Sequence, residues 1–224
     1  TNKYTGKMGR STSDLPIFLA TAGKILMIKL SLEIGGALLP RFFYLLQQGF
    51  VVTAETGCSI KDLLCQQMGI DKNYLRDRIQ TLFLNGMPVD DFEKAFIHGD
   101  ATLALSGAMP GLVGAVLRSG GILAAMRNTI SYSGGQTPGQ QHQARVTIKL
   151  FNLILKELGP LFLANGVLIP SEKFQDFILR NLADLKTASS SVRLNKQQIK
   201  VADLKNLDWK DPEIFLQATA RAES

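Results

Sequence analysis

The residue types that carry most enzyme chemistry are sparse and scattered in this chain. There are two histidines, His98 and His142, and two cysteines, Cys58 and Cys65, in 224 residues. Neither histidine has a companion His, Cys or nucleophile near it in sequence, so His98 is read as a surface-turn residue and His142 as a linker residue. Cys58 and Cys65 stand seven apart at the start and in the body of one expected helix. Seven helical residues rise about 10 Å, beyond the roughly 7 Å between Cα atoms that a disulfide spans. The expectation is two reduced thiols in a cytoplasmic protein, and without histidines beside them they make no zinc site. Asp90 and Asp91 are the nearest approach to a carboxylate pair, but adjacent side chains in a strand or turn point apart. Gly107, Gly111 and Gly114 lack dinucleotide-binding spacing, and Pro110 interrupts them. Neither a nucleophile elbow nor a Walker-type phosphate loop is present. The sequence therefore points away from catalysis, with no cofactor and no metal expected.

Composition narrows the classes further. The chain is 46% hydrophobic and 20% charged, enough apolar material for a genuine core. Its net charge of +6 is spread: residues 27–110 carry seven basic and nine acidic groups, and 111–170 carry five and one. No dense Lys/Arg run interleaves with aromatics, so a nucleic-acid surface is not expected. Apolar runs are broken by Lys24, Lys29, Glu33 and Arg41, or by Arg118 and Arg127, short of the roughly 20 residues of a membrane span. No membrane association is expected either. No internal repeat is apparent.

The elements that would position these residues begin at Met27, and residues 1–26 are read as an N-terminal extension. Ile28, Leu30, Leu32 and Ile34 alternate with polar residues, the pattern of a half-buried strand. Phe50–Glu55 is a second strand. A helix follows with Ser59 as cap, Asp62 in its first turn and Gly69 after its end. Leu82–Leu84 runs into Asn85-Gly86, a strong hairpin signal because both residues tolerate the positive φ of a type I′ turn. Met87-Pro88-Val89 is a short return strand, with Pro88 placing it near an edge. His98-Gly99-Asp100 turns into a last strand, Ala101–Leu105. The expected fold is α+β: a β-grasp sheet with one packed helix over 27–115. It is followed by a Gly/Gln-rich linker over 116–143 and a mostly helical region over 144–224. Within that region Ala144–Gly159 is read as an amphipathic helix, Ser171 caps a second, and Asp211-Pro212-Glu213 opens a third. Trp209, the sole tryptophan, is read as an anchor for the tail.

The quartet Met27-Ile-Lys-Leu, Ser59-Ile-Lys-Asp-Leu-Leu, Leu84-Asn-Gly-Met-Pro-Val-Asp90 and Ile97-His-Gly-Asp-Ala-Thr-Leu-Ala-Leu105 resembles the ubiquitin-like sulfur carriers of the MoaD/ThiS family. Those are the molybdopterin-synthase small subunit and the thiamine sulfur carrier. The resemblance implies a β-grasp sheet whose last strand leads into a tail ending in Gly-Gly. It also implies adenylation of the tail carboxylate by an activating enzyme, and sulfur carried as a thiocarboxylate. Here the chain continues through Gly107–Ala115 to Gly120-Gly121 and beyond, so Gly120 and Gly121, or Gly134 and Gly135, would present a free carboxylate only after cleavage. The expectation is a non-catalytic, β-grasp, protein-binding module with a protein partner. Three alternatives stay open. One is a carrier cut after Gly121 and partnered by an adenylating enzyme. Another is a small enzyme with a site between sheet and C-terminal helices. The last is a homo-oligomer associating through its apolar helices.

Overall fold

A computed structural model describes residues 27–127, 130–132 and 139–221. Residues 1–26 and the Gly134-Gly135 pair lie outside the described residues. The chain folds as α+β around a mixed sheet of ten strands. β1 (Lys29–Ile34) leads through a 3-10 turn (Gly36–Phe42) and α1 (Phe43–Leu46) to β2 (Phe50–Glu55). α2 (Ile60–Asp62) continues as a wider π-helical turn over Leu63–Gln67, and α3 (Lys72–Arg78) precedes β3 (Thr81–Leu84), β4 (Met87–Pro88) and β5 (Ala101–Ser106). After α4 (Gly111–Leu117) and a 3-10 turn (Ile122–Arg127) come β6 (Gln143–Leu150), α5 (Leu153–Asn165) and β7 (Val167–Pro170). α6 (Ser171–Ala188), β8 (Ser189–Leu194), β9 (Gln197–Gln198), a 3-10 turn (Val201–Asn206) and β10 (Glu213–Ala220) complete it.

Local chemistry explains most of these elements. The Ser59 hydroxyl accepts the Asp62 amide at 3.1 Å, and Asp71 caps α3 through the amides of Asn73 and Tyr74; each satisfies amides that a helix start leaves orphaned. Asn85 and Gly86 take φ of 50° and 84°, the hairpin geometry their types favour. β4 is an edge strand, where the missing amide of Pro88 costs no ladder bond.

From one edge to the other the strands run β4-β3-β5-β6-β2-β7-β10-β1-β8-β9. The two halves of that order mirror each other. Each has an outer antiparallel hairpin, a central parallel pair (β5 with β6, β1 with β10) and an inner antiparallel strand, β2 or β7. The halves meet where Val51 faces Leu168. Similar contacts occur in both halves. Asn85 Oδ1 accepts the Thr102 amide at 2.8 Å, and Asn195 Oδ1 accepts the Lys29 amide at 2.9 Å. Asp100 takes the Arg145 amide at 2.8 Å, and Asp211 the Ile28 amide at 3.3 Å. Helices α1, α5 and α6 bury an aromatic core, with Phe42 on Phe177 at 4.7 Å and Phe50 on Phe162 at 4.9 Å between ring centroids. Trp209 packs edge-on against Phe174 at 5.5 Å and so anchors the C-terminal segment.

Three sequence expectations need correction. β1 does not pair with β5 or β2; it lies between β10 and β8, and β6 fills the place between β5 and β2. Residues 144–150 are strand, not helix. Ala144, Val146, Ile148 and Leu150 bury alternate side chains, and the β-branched run Val146-Thr147-Ile148 suits a pleated surface. Helix begins only at Leu153 and then runs through Gly159-Pro160 to Asn165. Asp211-Pro212-Glu213 opens β10 rather than a helix, with Ile214, Leu216 and Ala218 buried in alternation. The region expected to be mostly helical thus supplies five strands, and residue 115 marks no gap in the sheet because β6 is interleaved with β2 and β5.

Candidate functional site

The segment after β5 holds the glycines that sequence reasoning singled out. α4 follows Pro110, and the chain folds back so closely that a Cβ on the buried Gly114 would run into the Met109 carbonyl. The turn Arg118–Gly121 follows. Gly120 adopts φ of 64°, a left-handed conformation that glycine reaches without steric cost. The Gly121 amide donates to Arg118 O at 3.1 Å, and Gly121 O accepts the Ala124 amide at 2.9 Å. Ser119 ties the turn to the sheet, its amide donating to Gln80 O and its hydroxyl to Val89 O, both at 2.8 Å.

One side chain fastens this segment. Arg127, its side chain 1% exposed, lies beneath the turn. Its Nη2 donates to Asp90 Oδ1 at 2.6 Å and its Nη1 to Asp90 Oδ2 at 3.0 Å. The remaining donors reach Val116 O at 2.7 Å, Ser131 Oγ at 2.7 Å and Arg118 O at 3.4 Å. A buried charge is tolerable only when paired and hydrogen-bonded, and the planar guanidinium fork meets both conditions here. Tyr132 closes the far end, with its amide on Pro88 O at 2.8 Å and its hydroxyl donating to Phe96 O at 3.3 Å.

The outer surface of the clasped segment is apolar. Leu112, Val113, Ile122, Met126 and Ile130 are 57 to 98% exposed. Scattered exposed apolar residues are ordinary, whereas here five large ones fall on one short segment. Arg118 is its exposed charge, and the sequence holds no acidic residue between Asp100 and Glu157.

The other candidates fall elsewhere. Asp90 and Asp91 diverge, Asp90 to Arg127 and Asp91 to Lys94 at 3.0 Å. The Lys94 bond and the Glu93 and Lys94 amides hold the Asp91 carboxyl below the usual range. The two histidines, unpartnered in sequence, have different neighbours: His98 packs on Gly139, and His142 Nε2 lies 3.2 Å from the buried Thr56 hydroxyl. Among the described residues no three His, Cys, Asp or Glu side chains gather as metal ligands. Cys58 and Cys65 are free, and burial pushes both thiols up, away from thiolate chemistry. No helix among the described residues is long and apolar enough to cross a membrane. Sequence reasoning missed Arg127, whose partner lies 37 residues away; the signal it passed over was an isolated cation in a stretch with no acid nearby.

Compared with family models, curated proteins and solved structures, the chain matches none.

Proposed function

We propose that this protein is a non-catalytic interaction module with a β-grasp core, and that the segment Leu112–Ile130 is its docking surface for a protein partner. Support for the core comes from the order β4-β3-β5-β6-β2, with a helix after β2 and a central parallel pair. That order is similar to the one the sulfur-carrier resemblance implies, with β6 supplying one strand from beyond residues 107–142. The observation that carries the binding reading is the exposure of five large apolar side chains on a segment held by the Arg127–Asp90 clasp. Burying those five side chains against a partner would contribute about 25 cal/mol per Å² of apolar surface.

The carrier reading requires a cut after Gly121. That cut would part α4 from Arg127, which holds it, and would sever from the chain the strand that fills the sheet between β2 and β5. Both losses favour the uncut chain.

The test is affinity capture from the protein's own cells with the full chain and with an Ile122→Arg/Met126→Arg variant. Both side chains point to solvent, so the variant keeps its unfolding temperature. A partner held by the wild type and lost at least tenfold in the variant is the expected result. A partner retained equally by both would overturn the assignment of this surface.

A further inference from the structure

A second feature lies away from the Leu112–Ile130 segment, near where the two halves of the sheet adjoin. The segment after β1 and the segment after β6 face each other across an open groove of about 1020 Å³, at the upper end of small-molecule sites. The segment after β1 contributes Leu39, Phe43 and Tyr44 to the lining, and β6 with the segment after it contributes Leu150, Phe151 and Leu155. Tyr44 and Phe151 are each nearly half exposed. Pro40 and Pro160 also line it.

Charge at the groove has one sign. Arg41 and Lys156 line it, with no acidic residue in the lining. Arg41 is answered from outside by Asp184, whereas Lys156 makes no ion pair among the described residues. A third cation, Lys173, stands 5.8 Å from the centre of the Tyr44 ring and donates to Leu45 O at 2.8 Å. The mouth is shaped by Asn152, a lining residue at φ 54° and ψ −129°. A side chain reaches that conformation only with strain, and strain of this kind collects at ligand clamps.

We propose that this groove binds an amphiphile: an unbranched apolar chain lying between Phe43 and Leu155, with one anionic head group at Lys156. Apolar walls fix the chain without regard to its length in detail, and the unpaired ammonium selects the sign of the head. A carboxylate and a phosphate monoester share this chemistry. The inference is independent of the docking surface, which shares no residue with the groove.

Isothermal titration of the full chain with dodecanoate, dodecyl phosphate and dodecyltrimethylammonium, each below its micellar concentration, tests it. Saturable one-to-one binding of an anionic amphiphile is expected, tighter by at least tenfold than the cationic one. The two anionic probes separate a carboxylate from a phosphate source. Lys156→Glu, at an exposed position, should weaken the anion at least tenfold while leaving the unfolding temperature unchanged. Phe151→Arg, which crowds the chain path while adding positive charge, should weaken both. Equal affinity for the two signs, an unchanged Lys156→Glu variant, or no saturable binding would each overturn the proposal.

Discussion

Arg127 shows how much can depend on one side chain that sequence reading leaves unremarked. Its donors serve both oxygens of Asp90, the carbonyls of Val116 and Arg118, and the Ser131 hydroxyl. From sequence Asp90 reads as a solvated loop acid, because local spacing says nothing about a partner 37 positions on. Arg127→Met keeps the stem volume and leaves those acceptors without their donor. Removing one partner of a fully buried pair costs roughly 3–5 kcal/mol. Asp90 remains 40% exposed and can turn to water, so about 2–3 kcal/mol is expected here. Denaturant unfolding measures the loss, and proteolysis should then begin within 111–132. Arg127→Lys keeps the charge but not the fork, and should lie between the two. A variant as stable and protease-resistant as the wild type would show that the clasp does not hold the segment.

At the scale of elements, the legible ones were those whose chemistry is local. Ser59 with Asp62, Asn85 with Gly86, and the alternation of β1 each fix a conformation from within a few residues. The illegible ones satisfy two periods at once. Val146, Leu150 and Leu153 fit a helical stripe, while Ala144, Val146, Ile148 and Leu150 fit a strand. Pairing with β2 and β5 decides for the strand and overrides the helical reading. The two hairpins allow a direct comparison. Asn195 and Lys196 take φ of 48° and 73°, matching Asn85 and Gly86 at 50° and 84°. A lysine held left-handed is strained by about 1–2 kcal/mol, and glycine is not. Lys196→Gly should therefore stabilise the protein by up to about 1 kcal/mol, the greater freedom of glycine in the unfolded chain offsetting part of the relief. Thermal unfolding would register a rise of a few degrees; a fall would mean that the Lys196 side chain contributes more than its backbone costs.

The whole molecule holds what the sequence showed least. The two halves share a strand order, with β1 in the place of β5 and β10 in that of β6; a separate trace in the sequence links β1 with β6, Ile28-Lys29-Leu30 and Pro40 recurring 120 residues on as Ile148-Lys149-Leu150 and Pro160. Three matching residues and one proline are too few to stand out beside ordinary strand and helix composition. Interleaving is invisible to any reading that assigns consecutive residues to one domain, since β1 sits in the C-terminal half of the sheet and β6 in the N-terminal half. A fragment spanning 27–115 would lack β6 between β2 and β5, and would carry β1 without β8 or β10. It should show no cooperative unfolding, whereas 27–221 should unfold in one transition by circular dichroism. A fragment 27–115 that unfolds cooperatively would mean that β1 can take the place of β6.

The claim that the protein acts as an intact binding module is tested most directly by its mass when isolated from its own cells. The expected result is one species in which the segment on both sides of Gly121 remains continuous. A species ending at Gly121, above all one with sulfur in place of a carboxylate oxygen, would contradict it and make the protein a processed carrier.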